Sequence, residues 1–262
     1  MAVEIHPAAF VDEGAELGAD VQVGPGCVIG AGVRIGDGSR LLHNVSISGS
    51  TTIGANATIY PFAVLGQPPQ DLKFSGEDTR LLIGANTTIR EHVTMHLGTF
   101  VGRGETRVGD NGYFMVGSHV GHDCIVGNNV TFANNATLGG HVVVGDHVIM
   151  GGLSAVHQHC RIGRHAFIGG GAPLTGDVIP YGMVDNHGGL AGLNLIGLKR
   201  RGFGREAIND LRTAYRLFFA SEGTFQERIE DAVRLYSHQV LVMEMVEFIK
   251  SGANRHLCLP KG

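Results

Sequence analysis

The chain has 262 residues, 43% of them hydrophobic and 17% charged, and a formal net charge of −4. These proportions exclude a disordered segment, and no run of eighteen apolar residues predicts a membrane span. The start, Met1 to Pro7, shows neither a basic n-region nor an apolar secretion core, so the expected setting is cytoplasmic.

From Ile5 an aliphatic residue recurs at every sixth position through Val11, Leu17 and Val23 to Leu65. A second run with the same period goes from Val108 to Leu174 and includes Phe114, Phe132 and Met150. Six residues fit neither a helical turn nor simple alternation, but they fit short strands joined by tight corners, the pattern of a parallel β-helix. Gly, Asn, Asp and His fill the intervals, as corners with left-handed backbone angles require. Four positions after each anchor a small residue is common, such as Ala57, Cys124, Ala136 and Ser154, which suits a second inward column. Three hexads make a coil of eighteen residues, with coils ~4.8 Å apart. The period leaves the hand of the coil open, and parallel crossovers are normally right-handed.

Two stretches interrupt the period, near 67–79 and 97–107. Leu65 and Ile83 are eighteen positions apart, so the first is expected to replace one coil without a change of phase. Inserted loops on a repeat scaffold often bind ligands, although Asp71 and Lys73 also read as a solvated surface pair. Cys27, Cys124 and Cys160 fall in the small inward column, which makes them packed thiols; Cys124 and Cys160 are two coils apart, roughly 9.6 Å, too far for a disulfide.

The repeat stops near Gly176. From about Gly192 the pattern turns helical, giving an expected β-helix over 1–187 and a helical domain over 188–262. Ile208, Leu211, Tyr215 and Phe218 make one apolar stripe over 205–221. Thr224 to Glu227 reads as a capping box, and 238–250 makes a last helix. The tail is basic where the prism is acidic, with Lys199, Arg200, Arg201, Arg205, Arg212 and Arg216 concentrating the charge. That cluster suits an acidic partner or a phosphate, and it is too poor in aromatics for nucleic acid.

Reducing positions by eighteen gathers His119, His122, His141, His157 and His159 at one corner of about three adjacent coils, with Gly121, Gly139 and Gly140 beside them. Three readings compete for this patch. Corner histidines, among them His141, His147, His159 and His165, replace Asn or Asp at turns. Alternatively, several imidazoles hold zinc, as in hydratases of the carbonic anhydrase type. The third, favoured reading is general-base acyl transfer, in which Asp123 orients His122 and no covalent acyl-enzyme forms.

The segments Ser118-His-Val-Gly-His-Asp-Cys, Asn134-Asn-Ala-Thr-Leu-Gly-Gly-His, Ala155-Val-His-Gln-His-Cys and Gly197-Leu-Lys-Arg-Arg-Gly-Phe, with Gln70-Asp-Leu-Lys in the first loop, resemble the UDP-N-acetylglucosamine 3-O-acyltransferases of lipid A biosynthesis. The resemblance covers nearly the whole chain. It implies a left-handed β-helix and a homotrimer with active sites between subunits. It also implies transfer of a 3-hydroxyacyl chain from acyl carrier protein to the sugar 3-hydroxyl of UDP-N-acetylglucosamine, with the thioester as co-substrate and no cofactor or metal. On the matching positions His122 is the general base, Asp123 its orienting partner and the Gly140 N–H the oxyanion donor. His119, His141, His157 and Gln158 contact the sugar nucleotide or acyl donor, Asp71 and Lys73 reach the sugar, and Asn194 and Arg200 contact the nucleotide. Ile196 departs from the family's carboxylate and removes a hydrogen-bond acceptor there. Gly170 matches the acyl-length ruler; with no side chain to block the slot, it implies a longer hydroxyacyl chain. The N-acyltransferase of the same pathway is the closest alternative, and a docking module without turnover is another.

Overall fold

The computed structural model describes residues 2–252 and 255–260. The hexads fold as short strands, most of two residues, and strands from successive coils pair in parallel: Ile5 on Val23, Val23 on Leu41. Three sheets of eleven, nine and eight strands result, beginning with Glu4–Ile5, Phe10–Val11 and Glu16–Leu17. They form the first, second and third faces of a prism. From Gln22–Val23 onward each two-residue strand buries one side chain, so each of these rungs contributes one anchor per face to the interior, while the anchors of the first coil are partly or fully exposed. The second inward column is filled as the spacing predicts, by Cys27, Ala57, Ala63 and Cys124, but also by valines such as Val21, Val33 and Val142, all fully buried.

Corner residues adopt left-handed angles, with Asn56 at φ 58°, Asn135 at 58° and Asp123 at 59°. His141, His147, His159 and His165 occupy the same type of position, at φ 63°, 60°, 66° and 58°. Their ring identity is therefore compatible with a turn that Asn or Asp otherwise fills.

The first insertion departs from the expectation of a replaced coil. Ile83 pairs with Ile53 on the third face, thirty positions earlier, while Leu65 pairs with Met95 on the second. The segment is thus a twelve-residue loop added at one corner, between the second and third faces. An insertion of that length mimics an unbroken phase because twelve is two hexads. The second insertion, between Thr94–His96 and Glu105–Val108, emerges at the same corner one coil later.

Past Leu174 the prism is closed more gradually than the pattern indicates. Gly182–Val184 adds a further parallel strand to the first face, and Leu190–Leu193 adds an antiparallel one. Four helices follow: α1 (Leu195–Arg200), α2 (Arg205–Phe218), α3 (Phe225–Tyr236) and α4 (Val240–Lys250). Thr224 and Glu227 make the reciprocal capping box at the start of α3. Leu211, Ala214 and Phe218 of α2 pack with Ile229, Ala232 and Met245 in one apolar core. Arg161 joins this tail to the prism: it pairs with buried Asp177 at 2.7 Å, donates to the Phe248 carbonyl at 2.9 Å and lies over the Phe248 ring. Among the described residues no helix is long and apolar enough to cross a membrane.

Candidate active site

The corner that carries both insertions carries the histidines. The strands before it stack His119 on Thr137 and Thr137 on Ala155. The turns that follow, 121–124, 139–142 and 157–160, therefore hold His122, Gly140, His141, His157 and Gln158 in one strip. The His122 and His141 rings meet edge to face at 5.0 Å, and His141 stacks on His159 at 4.5 Å.

His122 Nδ1 lies 2.8 Å from Asp123 Oδ2. The Asp123 carboxylate is fully buried, and the second insertion supplies most of its partners. Thr99 donates its hydroxyl at 2.6 Å and its N–H at 3.1 Å, and the Arg103 N–H donates at 2.7 Å. Burial raises the Asp123 pKa, but the bonds from His122, Thr99 and Arg103 outweigh that and hold it below the usual carboxylate range. Asp123 is therefore an anion at neutral pH. It fixes the tautomer in which Nδ1 carries the proton, leaving His122 Nε2 as the free base nitrogen.

Gly140 lies directly against that ring. A Cβ built on it would sit 2.5 Å from His122 Cε1 and Nε2, so only glycine allows this approach. Gly140 and Gly121 are both buried, the first under the His122 ring and the second against the backbone of residues 138 and 139. Among the described residues no backbone hydrogen bond uses the Gly140 N–H.

His119 lies on the strand that leads into the turn of the pair, with Nδ1 2.7 Å from the Thr94 hydroxyl and its ring against His96. Burial pushes its pKa down to about 4, so it is a neutral hydrogen-bonding group near pH 7. Burial also lowers the pKa of His141. His157 is exposed, with Nδ1 2.8 Å from Arg255. Cys124 follows Asp123 in the chain, but burial pushes its thiol up to about 12, which excludes a thiolate nucleophile at this corner.

Other sequence-derived candidates are distributed differently. Asp71 and Lys73 lie on the first insertion at the same corner, and no ion pair joins them: Asp71 Oδ1 accepts the Lys73 N–H at 3.0 Å, closing a local turn. Asn194 and Arg200 are elsewhere. Asn194 is buried, accepts from the Gly197 N–H at the start of α1 and donates to the His165 carbonyl. Arg200 and exposed Ile196 line an apolar cleft against Ile149, Phe167 and Met183 on the first face. Gly170 occupies the corner between the first and second faces, where an added Cβ would meet only the Gly152 backbone. Of the basic cluster, Arg201 turns inward to the His147 carbonyl, while Lys199, Arg205 and Arg212 line one groove.

His122, Asp123 and His141 place ligand atoms within 4.8 Å of one another, the spacing a cation would need. Both Asp123 oxygens, however, already accept hydrogen bonds from the protein, and a metal would have to displace Thr99. The donor set fits an orienting carboxylate better than a ligand. Thr99, Arg103 and Arg255 escaped the sequence reading. For the first two the available signal was the second insertion itself.

The coil and its corner site define a hexapeptide-repeat transferase. The bacterial transferase hexapeptide family matches residues 2–37, 32–67 and 105–140, and the family described as UDP N-acetylglucosamine O-acyltransferase, domain 2, matches 177–258. An acyl-[acyl-carrier-protein]–UDP-N-acetylglucosamine O-acyltransferase from Caulobacter vibrioides is 56% identical over 260 residues, 99% of both chains. One from Mesorhizobium japonicum is 52% identical over 98% of this chain and 92% of its own. The solved UDP-N-acetylglucosamine acyltransferase of Francisella novicida superposes with a TM-score of 0.95 at 34% identity, covering 98% of this chain and 95% of that one. The chain belongs to the acyl-[acyl-carrier-protein]–UDP-N-acetylglucosamine O-acyltransferase family, and its prism is a left-handed β-helix.

Proposed function

We infer that the protein moves a 3-hydroxyacyl chain from acyl carrier protein to the glucosamine 3-hydroxyl of UDP-N-acetylglucosamine, the first step of lipid A biosynthesis. The observation that carries the chemistry is the His122–Asp123 pair with Gly140 packed on its free edge. In this reading His122 Nε2 takes the proton of the 3-hydroxyl as that oxygen attacks the thioester carbonyl carbon. The Gly140 N–H stabilises the oxyanion, a contribution of about 3 kcal/mol to the barrier. Collapse breaks the C–S bond, and the imidazolium returns its proton to the leaving thiolate. Asp123 stays ionised throughout and offsets the imidazolium charge.

His119, His141, His157 and Gln158 then line the substrate cleft, with Asp71 and Lys73 over the sugar. Asn194 and Arg200 lie against the first face, away from the His122 corner. Their assignment to the nucleotide therefore requires a neighbouring subunit, which supports a homotrimer with shared sites. The reading carries a cytoplasmic setting, where carrier-bound thioesters and nucleotide sugars are made, and no cofactor.

The decisive test is transfer from a 3-hydroxyacyl carrier protein to UDP-N-acetylglucosamine by purified protein. Wild type forms the 3-O-acyl product and His122→Ala does not, with its oligomeric state retained. Turnover by that variant would overturn the base assignment.

A further inference from the structure

We propose that the second insertion is part of the catalytic apparatus, with Thr99 acting as a positioning residue that fixes the direction in which Asp123 presents its carboxylate to His122. The proposal rests on the reading of His122 as base and extends it to a segment outside the histidine turns.

Five groups from residues 99–106 converge on Asp123. Thr99 contributes its hydroxyl and its N–H, Arg103 its N–H, and the Thr106 hydroxyl accepts the Asp123 N–H at 2.8 Å. Arg103 also donates from Nε to the Asp123 carbonyl at 3.2 Å. Thr99 and Thr106 are buried. The loop can close this tightly only because residue 102 is glycine: a Cβ there would lie 2.4 Å from the carboxylate. Asp123 itself has a left-handed backbone at φ 59°, the corner conformation that Asn and Asp tolerate.

A carboxylate has about four lone-pair sites. Here donors from the insertion occupy those not facing His122, so the carboxylate has one orientation and its remaining oxygen edge meets Nδ1. The short Thr99 hydroxyl bond also draws electron density away from the His122 bond. Without it, Asp123 would become more basic and hold the imidazolium more strongly. Among the described residues, the charged and titratable groups facing this pair are His141, Arg103 and Cys124 around the carboxylate, with His96 and His119 beyond the His122 ring. His119 is neutral near pH 7. The lost Thr99 bond is therefore expected to appear in the acid limb of the pH–rate profile.

The experiment compares Thr99→Val and Thr99→Ser with wild type in the acyl-transfer assay across pH 5 to 9. Loss of the hydroxyl is expected to lower kcat about tenfold near pH 7 and move the acid limb of kcat/KM upward by about half a pH unit or more, with KM for the sugar nucleotide within about twofold. Thr99→Ser should restore both. If Thr99→Val does not fold, Thr99→Ala removes the same hydroxyl and keeps the backbone donor. An unmoved acid limb in a folded variant, or a Ser variant no better than Val, overturns the proposal even when His122→Ala is inactive. Activity in His122→Ala instead overturns the reading beneath it.

Discussion

Gly140 and His122 are in contact so close that a single methyl group would occupy the space of the imidazole edge, 2.5 Å from Nε2. The nitrogen read as the base thus lies against the residue whose amide is read as the oxyanion donor. They come from turns on successive coils, stacked by the eighteen-residue repeat.

Gly140→Ala tests that contact. The added methyl displaces the ring or the turn, and a misplacement of about 1 Å costs roughly 100-fold in rate. Turnover should fall by that order, while circular dichroism and thermal melting show an intact coil. Near-normal turnover would mean that the turn relaxes without cost.

Asp123→Asn keeps the shape and removes the charge. An amide nitrogen facing Thr99 and Arg103 also meets donors with a donor. A loss of roughly 10,000-fold in kcat is expected. Because the carboxyl pKa is lower in the folded chain than in the unfolded one, its contribution to stability is present at neutral pH. It is lost as pH falls below the ordinary carboxylate range. Acid unfolding of the variant, followed by fluorescence or melting, should show a shallower pH dependence there than wild type.

His165 gives an independent pH prediction. It is 3% exposed, stacks on His147 at 4.6 Å and has an unpartnered Nδ1. Burial pushes its pKa down to about 4. The unfolded chain therefore takes up this proton first as pH falls. Stability should be level above the ordinary imidazole pKa near 6.5 and decline toward pH 4, by up to about 3 kcal/mol. His165→Asn, which tolerates the left-handed corner, should flatten that slope even though it lowers stability at pH 7. Chemical unfolding at several pH values measures both.

Gly170→Met tests the acyl ruler. An added Cβ at this corner meets only the Gly152 carbonyl at 3.3 Å, so a side chain can extend from it. With a mixture of hydroxyacyl carriers, mass spectrometry should show wild type preferring the longer chains and the variant shifted to shorter ones. An unchanged product distribution removes Gly170 from the acyl slot.

The His122 corner was legible because its elements are local and periodic. Anchors such as Ile47 and Leu138 recur every six residues, and corner types are written in Asn, Asp and His. Dividing by eighteen then places His119, His122, His141 and His157 together. Inside the second run no residue is added or lost, so that arithmetic holds. Across 65–83 it fails, since a twelve-residue insertion and a replaced coil leave the same period.

The sequence alone therefore determined the prism, its inward columns and the company His122 keeps, since all three follow from short-range pattern and strand spacing. Tertiary structure alone decided that both insertions leave from the histidine corner, that Thr99 and Arg103 close on Asp123, and that α1 rests on the first face with Asn194 turned inward. An aperiodic loop carries no pattern from which its partners can be read. Its hydrogen bonds are selected only when the coils stack and leave one buried carboxylate within its reach.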